Sequence, residues 1–232
     1  MYTLTGVSKT FRARSRARGM VTAVQQLDLS IADGEWLAVQ GRTGSGKSTL
    51  LQLLGGMDRP STGSVVLDGH DLSAMTESQL TELRATRVGF VFQAFNLIPT
   101  LSAIENVEAA LVPLATPAIQ RRERAAAALA AVGLADRAGH LPSELSGGQQ
   151  QRVGIARALV KEPSVLLADE PTGNLDIDTR DEILSLIEQV STANKLTLVL
   201  VTHDSAVAAH AERVAVMHDG RLTIDPTDTP ID

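Results

Sequence analysis

The chain has 232 residues, 44% of them hydrophobic, with no cysteine and a formal net charge of -6 at pH 7. This length and composition suit one large α/β domain, or a domain with a subdomain, built on a sizeable core. The lack of cysteine excludes disulfides and thiolate metal sites, and the negative charge argues against a nucleic-acid binder that relies on a basic face. No apolar run approaches the about 18 residues of a membrane span, and the start lacks a signal-peptide core, so we expect a soluble cytoplasmic protein.

The first predicted elements are two strands, over residues 2–7 and 27–31. Residues 11–19 between them contain four arginines that alternate with small residues. Such a charge run favours a solvated hairpin loop, and contact with a membrane surface or a partner is the alternative.

A phosphate-binding loop follows the next predicted strand. Residues 37–39 are apolar and come after an Asp33-Gly34 turn, with Trp36 expected in the core. Residues 41–48 fit the pattern G-x-x-x-x-G-K-[ST]. The apolar residues after it fall on one helical face: Leu50, Leu51 and Leu54. The loop thus joins a strand to a helix, which is the context that the motif requires.

Each residue type in this loop has a chemical reason. Glycines let several backbone N–H groups converge on phosphate oxygens, and the following helix adds its positive N-terminal end. We expect Lys47 to neutralise the β- and γ-phosphates and Ser48 to ligate Mg²⁺. The expected nucleotide contacts are Gly41, Arg42, Thr43, Gly44, Ser45, Gly46, Lys47, Ser48 and Thr49.

The middle of the chain changes from strands to helices. Strands are predicted over residues 65–67 and 88–92, with a helix capped at Thr76 between them. After Gln93, a second capping box at Ser102 and an alanine-rich stretch predict helices without strands.

This change predicts a single domain over residues 1–232 that has two parts. We expect a sheet core over about 1–93 and 156–232. A helical subdomain over about 94–155 would be inserted into it.

Strand signals return in the last third of the chain. The predicted elements are a strand over 165–168, a helix from about Thr179 with Asp178 as its cap, a buried strand over 196–201, and late strands over 213–217 and 222–224 joined by Asp219-Gly220. Strands that alternate with helices predict a largely parallel sheet, in which ligands bind at the carboxyl ends of the strands. Four polar positions each follow a strand, as one nucleotide site would need: Gly41, Gln93, Asp169 and His203.

These side chains suit phosphate hydrolysis. Asp169 would reach Mg²⁺ through water, and Glu170 would orient or deprotonate the attacking water. Gln93 would ligate Mg²⁺ or that water, and His203 would hydrogen-bond the γ-phosphate. Ordinary solvated acids at a strand end, and a structural histidine, are the alternatives.

A second anion site is predicted at residues 145–152, which read Leu-Ser-Gly-Gly-Gln-Gln-Gln-Arg. Ser146 and Gln149 have capping-box spacing, so a helix begins here with two glycines that expose backbone N–H groups. Because the chain already has a phosphate loop, this segment makes sense if it faces the nucleotide of another subunit.

The ordered set of motifs resembles the ATP-binding subunit of an ABC transporter across essentially the whole chain. The set comprises the phosphate loop, Gln93, residues 145–149, residues 165–171, residues 174–176 and His203. The five-residue Leu-Ser-Gly-Gly-Gln segment is specific to ABC-type ATPases. The resemblance implies an α/β fold: a P-loop NTPase (RecA-like) parallel-sheet core with an antiparallel β part and an inserted α-helical subdomain.

The resemblance also implies ATP and Mg²⁺ as ligands and two copies arranged head to tail. Each ATP would lie between one phosphate loop and four residues of the other copy: Ser146, Gly147, Gly148 and Gln149. Asp176 would lie at the dimer seam. Phe11 occupies the position where the family stacks an aromatic ring on adenine, and Tyr2 is the next candidate.

Residues 92–101 and 169–176 resemble the lipoprotein-release and macrolide-export type, which pairs the ATPase with a membrane permease. The chain would then be peripheral at the inner face of the cell membrane, with no nucleic-acid partner. Arg42 in place of a frequent proline, and the arginine-rich loop at 12–18, depart from the common pattern.

Two other function classes are alternatives to a transporter subunit. A soluble ABC-type ATPase acting on DNA or ribosomes is the main alternative. However, only about 128 positions separate Gly41 from Asp169, without a long heptad run, and the chain has one such domain. A phosphate-loop kinase or GTPase leaves residues 146–149 unexplained.

Overall fold

The computed structural model describes residues 1–12 and 19–224, which form ten β-strands and seven α-helices. The strands are β1 (Tyr2–Arg12), β2 (Met20–Ile31), β3 (Trp36–Gln40), β4 (Thr62–Leu67), β5 (His70–Asp71), β6 (Val88–Phe92), β7 (Val165–Asp169), β8 (Thr197–Thr202), β9 (Arg213–His218) and β10 (Arg221–Ile224). The helices are α1 (Lys47–Leu54), α2 (Glu77–Thr86), α3 (Ala103–Glu108), α4 (Ala118–Ala131), α5 (Gly147–Leu159), α6 (Ile177–Asn194) and α7 (Ser205–Ala208). The prediction for the arginine-rich loop falls mostly on residues 13–18, which lie outside the described residues.

The chain divides into two compact units, of which the first contains Met1–Leu80 and the chain from Thr197 onward. Part of it is an antiparallel sheet in the order β2-β1-β4-β5. The two flanking strands of β1 set Leu4 opposite Leu29 and Val65, and all three are buried. Alternation of buried and exposed residues at the start of β1 gives this sheet one apolar face.

The first unit also holds the strands that carry the phosphate loop. β3 runs parallel to both β8 and β9, while β10 pairs with β9 in an antiparallel hairpin. Every residue of β8 is buried, which confirms the predicted buried strand. The Asp219-Gly220 turn is confirmed too, and both residues have positive φ, as a tight hairpin turn requires. Trp36 is 8% exposed and stacks on His210, so its place in the core is confirmed.

The second unit contains Thr81–Leu196. Its two strands, β6 and β7, are parallel, with Phe92 opposite Asp169. All the elements described between residues 94 and 155 are helical, and the capping box at Ser102 is present: its N–H donates to the Glu105 carboxylate at 2.8 Å. No helix within residues 1–12 and 19–224 combines the length and apolar character needed to cross a membrane.

The predicted start of α6 is wrong. The helix begins at Ile177, and its cap is Asp176, whose carboxylate accepts the Thr179 N–H at 3.0 Å. Asp178 lies in the first helical turn, where its negative charge interacts favourably with the positive end of the helix dipole. Both aspartates have side chains that suit a cap, so residue type alone did not separate them.

Lys161 in the second unit gives a testable pH dependence. Loss of hydration on burial lowers the pKa of its ammonium from 10.5 to about 8. Between these pH values the unfolded chain binds a proton that the folded chain has released, so the free energy of unfolding rises with pH. We expect Lys161→Met to lose this rise, as measured by urea unfolding at pH 7.5 and pH 10. Equal rises in both proteins would contradict the assignment.

Candidate functional site

The phosphate loop lies between β3 and α1 and has a backbone that requires glycine. Gly44 has φ +83° and Gly46 has φ +110°, a region that other residues rarely adopt. A Cβ at Gly46 would lie 2.0 Å from the Ala23 carbonyl oxygen, and one at Gly41 would lie 2.4 Å from that of Met217. The loop is therefore enclosed by main chain of β2 and β9, which only glycine permits.

Lys47 is held over the loop at the start of α1. Its Nζ donates to the carbonyl oxygens of Gly41 at 2.7 Å and Arg42 at 3.2 Å, and the residue is 5% exposed. The buried hydroxyl of Ser45 has no hydrogen-bond partner within the described part of the chain. A cation held at the loop and a buried hydroxyl within it form a surface complementary to phosphate oxygens.

A cavity of about 490 Å³ opens beside this loop in the first unit. Its lining consists of Gln40, Gly41, Arg42, Thr43, His203, Val216, Met217 and His218. β3 and β8 are parallel, and the Gly41 N–H donates to the Thr202 carbonyl oxygen at 3.1 Å. The structure therefore places His203 at the same strand edge as the loop.

His218 in this lining was missed by the sequence reasoning. It ends β9, which runs parallel to β3. The rule that placed His203 at the site, a polar residue at the carboxyl end of a parallel strand, applies equally to His218. The signal was thus present in the sequence.

Phe11 lies near the end of β1, 39% exposed, and is outside the described lining of this cavity. The ammonium of Lys9 sits over its ring, 5.1 Å from the centroid. Tyr2 is not available for stacking: it is 1% exposed and its hydroxyl donates to the Leu54 carbonyl oxygen at 2.9 Å. Burial also raises the pKa of Tyr2, since a phenolate would lose its hydration there.

In the second unit, Gln93 lies at the same strand edge as the acidic pair Asp169 and Glu170 at the end of β7. The Asn174 Nδ2 donates to the Gln93 carbonyl oxygen at 3.0 Å, and the Gln93 Nε2 donates to the Asn174 Oδ1 at 3.4 Å. The Gly173 N–H donates to the Glu170 carbonyl oxygen at 3.0 Å. The turn from Glu170 to Asn174 is thus hydrogen-bonded to Gln93 through Asn174, and Asp169 is the last residue of β7.

Glu170 has a strained backbone. Its φ is +45°, in the left-handed region that glutamate rarely adopts. Such conformations cost about 1–3 kcal/mol and persist where the surrounding structure fixes them, often at functional sites. The different role expected for Glu170, beside Asp169, stays a prediction.

Residues 146–149 begin α5 with the predicted capping box. The Ser146 N–H donates to the Gln149 Oε1 at 2.9 Å, and the Gln149 N–H donates to the Ser146 Oγ at 3.3 Å. A Cβ at Gly148 would lie 2.5 Å from the Thr179 Cγ2, so a methyl group fills the space beside this glycine. The N-terminus of α5 therefore packs against the start of α6.

Thr179 joins this segment to Asp176, a link that the sequence did not reveal. Its N–H and hydroxyl donate to the two carboxylate oxygens of Asp176 at 3.0 Å and 2.9 Å. These hydrogen bonds hold the pKa of Asp176 below its ordinary value. Within the second unit, the predicted partner-facing residues thus form one packed group.

Comparisons with known proteins agree with this geometry. A family model described as ABC transporter matches residues 24–173. The macrolide export ATP-binding/permease protein MacB of Rhodopseudomonas palustris strain HaA2 is 47% identical over 210 residues, which cover 90% of this chain and 32% of that protein. The uncharacterized ABC transporter ATP-binding protein YvrO of Bacillus subtilis is 42% identical over 225 residues, covering 97% and 96%.

Solved structures extend the likeness to the fold. A dimeric, post-hydrolysis structure of the ATP-binding cassette MJ0796, bound to ADP and Pi, superposes with a TM-score of 0.87 at 39% identity. The match covers 97% of this chain and 98% of that one. The chain thus spans nearly all of a cassette, but about a third of the length of the macrolide-export proteins that it matches.

Proposed function

The chain belongs to the ABC transporter family, and from this premise we propose that it binds and hydrolyses ATP to power a membrane permease. The observation that carries this proposal is the phosphate loop, in which main chain of β2 and β9 fixes the backbone and Lys47 is buried against it. A loop held in this way is organised before its ligand arrives, which reduces the ordering cost of binding.

The substrate is ATP, and residues of the first unit recognise its phosphates. The loop amides and the positive end of α1 bind the phosphate oxygens, and the Lys47 ammonium moves from carbonyl oxygens to the β- and γ-phosphates. The Ser45 hydroxyl has an open hydrogen-bonding valence inside the loop for the same purpose. His203, at the neighbouring strand end, donates a hydrogen bond to the γ-phosphate.

We propose that the chain supplies hard oxygen ligands for Mg²⁺. Ser48 would provide its hydroxyl from α1, and Gln93 would provide its amide oxygen from the end of β6. The Asp169 carboxylate at the end of β7 would reach the ion through water. These donors fit Mg²⁺, which takes one or two protein ligands together with phosphate oxygens and water. When bound, the ion would offset the charge that develops on the phosphates.

Glu170 activates the attacking water in this proposal. Its carboxylate accepts one water proton while the water oxygen bonds to the γ-phosphorus, and the bond from that phosphorus to the bridging oxygen of ADP breaks. The unusual backbone conformation of Glu170 supports this role, because such strain is often found at functional sites.

Residues 146–149 and Asp176 serve a second copy of the chain. The N-terminus of α5 presents backbone N–H groups that can bind a phosphate. The phosphates of the chain's own ATP are already bound by the phosphate loop. We infer that two copies associate head to tail, each closing over the ATP of the other. The dimeric form stated for the structural relative MJ0796 supports this arrangement.

The permease is the remaining part of the proposed system. The macrolide-export relatives are named as combined ATP-binding and permease proteins, and this chain spans about a third of them. We infer a separate or connected permease of an export or lipoprotein-release type, which would hold the chain at the inner face of the cell membrane.

The proposal is tested by a membrane pull-down combined with an ATPase assay. Tagged chain should hydrolyse ATP with Mg²⁺ and not with EDTA, and it should copurify from detergent extract with a polytopic protein that changes its ATPase rate. Absence of Mg²⁺-dependent hydrolysis would overturn the enzymatic part. Copurification with ribosomes or DNA in place of a membrane protein would overturn the transport part.

A charge at Leu97 should uncouple transport from hydrolysis. Leu97 is half-buried and the adjacent Ile98 is 44% exposed. Buried Asn106 fixes the loop, accepting the Ile98 N–H at 2.7 Å and donating to the Leu101 carbonyl oxygen at 2.9 Å. An apolar surface on a fixed loop suits a partner helix.

We expect Leu97→Asp to lose stimulation by the permease while basal ATP hydrolysis persists. Ile98→Asp, at the more exposed position, should behave in the same way. Ile119→Asp on α4 is the matched control, because that side chain is exposed outside the loop. Equal loss of basal activity and folded protein in the Leu97 variant would assign Leu97 to packing instead.

Removing the ring of Phe11 should weaken ATP binding. If Phe11 stacks on adenine, Phe11→Ala should cost about 1–3 kcal/mol of binding free energy, the range for stacking of a base on an aromatic residue. The maximal hydrolysis rate should change less, since the phosphate-binding residues remain. Calorimetric titration with ATP measures the affinity, and an unchanged value would remove the stacking role.

A further inference from the structure

We propose that Lys9 is a positioning residue for the nucleotide base, holding one face of the Phe11 ring so that the opposite face receives the base. This inference rests on the proposed stacking of Phe11 on adenine. The Lys9 Nζ lies 5.1 Å from the ring centroid, within the about 6 Å over which an ammonium and an aromatic face attract each other. One face of the Phe11 ring is therefore covered by the ammonium, and a flat ligand can stack only on the opposite face.

The ammonium of Lys9 is itself fixed. It donates to the Asp58 carboxylate at 2.5 Å and to the Arg59 carbonyl oxygen at 2.7 Å, and the Lys9 side chain is 13% exposed. An ammonium has three N–H donors. Two of them are used in these hydrogen bonds, so the group is anchored and its charge remains directed at Phe11.

The same turn anchors the rest of this strand end. The Thr10 N–H donates to the Ser61 Oγ at 3.1 Å, and the Ser61 N–H donates to the Ser8 carbonyl oxygen at 2.7 Å. Residues 58–61 follow α1, which begins in the phosphate loop at Lys47. We call Phe11 and the Lys9 behind it the base platform. One short segment of the first unit thus links this platform to the phosphate loop.

This arrangement predicts how bases are selected. The ring of Phe11 has no hydrogen-bonding group, and the donors of Lys9 are directed to the turn. A cation behind the ring withdraws electron density from it and favours stacking with an electron-rich purine. The platform therefore recognises the flat face of a purine and does not distinguish adenine from guanine.

The test compares Lys9→Met, which keeps the apolar stem, with Lys9→Arg, which keeps the charge. Dissociation constants are measured for ATP, GTP and inorganic tripolyphosphate, the last of which lacks a base. We expect Lys9→Met to bind ATP and GTP about 3- to 10-fold more weakly, by similar factors, as loss of a cation–π contact implies. Binding of tripolyphosphate should be unchanged, and Lys9→Arg should retain most of the affinity.

Two further variants separate the possible failures. Asp58→Asn frees the ammonium without removing it and should cause a smaller loss for ATP, again sparing tripolyphosphate. In a Phe11→Ala background, Lys9→Met should have no additional effect, because the two residues act through one contact. Asp58→Asn and Lys9→Arg keep the proposal testable if Lys9→Met folds poorly.

Equal weakening of ATP and tripolyphosphate by Lys9→Met would overturn the proposal, because it would indicate general damage to the loop. Wild-type ATP affinity in Lys9→Met would overturn it as well. If Phe11→Ala weakens ATP binding while Lys9→Met does not, only the role of Lys9 fails. If Phe11→Ala itself has no effect, the stacking function fails, and the role of Lys9 fails with it.

Discussion

Glu170→Gln should bind ATP normally and hydrolyse it about 10²–10⁴-fold more slowly, the usual contribution of a general base. The amide keeps the size and hydrogen bonding of the side chain but cannot accept the proton of the attacking water. Binding should persist, because Lys47 and Ser48 remain. A steady-state phosphate-release assay measures the loss, and full hydrolysis by this variant would remove Glu170 from the catalytic role.

The same variant should reveal the dimer. Because it retains the γ-phosphates that would bridge two copies in the proposed dimer, ATP with Mg²⁺ should drive it into a lasting homodimer by mass action, while ADP should leave it monomeric. Size-exclusion chromatography with light scattering distinguishes the two states. Glu188→Gln, an identical substitution at an exposed position of α6, is the control and should behave like wild type.

A Glu170→Gln protein that binds ATP but stays monomeric at high concentration would contradict self-association of the isolated chain. The head-to-tail arrangement would then depend on the permease to bring two copies together. Repeating the measurement with the copurified membrane complex tests that dependence directly.

The family and the α/β fold were predictable from the sequence, and both are confirmed. The phosphate loop was predictable because its motif specifies backbone geometry: glycine is required where φ is positive and where the main chain comes close. Strand positions were predictable for a similar reason, since a fully buried strand such as β8 has an apolar or β-branched residue at every position.

The partners of these local patterns were not predictable. Ala23 and Met217 enclose the loop from strands distant in sequence, and Thr179 fills the space beside Gly148. Lys9 and Asp58 meet only because β1 lies beside the turn after α1. Such contacts depend on how elements pack in three dimensions, and a single sequence has no periodic signal for them.

The cap of α6 shows a limit of local reasoning. Asp176 and Asp178 are the same residue type, two positions apart, and only the hydrogen bonds to Thr179 distinguish them. The distinction affects function, because the cap Asp176 is the residue proposed for the dimer seam. Its carboxylate is thus already engaged with Thr179 before a second copy approaches.

Lys47→Ala and Ser146→Arg should have different defects that complement each other. Loss of a charged hydrogen-bonding partner should weaken ATP binding by Lys47→Ala about 10- to 100-fold. Ser146→Arg should bind ATP nearly as well as wild type, because in the proposed dimer that residue serves the nucleotide of the other copy. Both chains are made with Glu170→Gln, so that bound ATP is not lost to hydrolysis.

Neither chain alone should form an ATP-dependent dimer, because every site in such a dimer would carry one lesion. Mixing them creates one site with both lesions and one intact site, so chains of different mass should associate when ATP is added, as mass photometry detects. Ser143→Arg, at an exposed position just before the segment, is the control and should dimerise alone. The outcome that counts against composite sites is a mixture in which ATP induces no association while the Ser143 control dimerises. A head-to-tail pair of the two chains must contain one site without either lesion, formed by the loop of the Ser146→Arg chain and residues 146–149 of the Lys47→Ala chain.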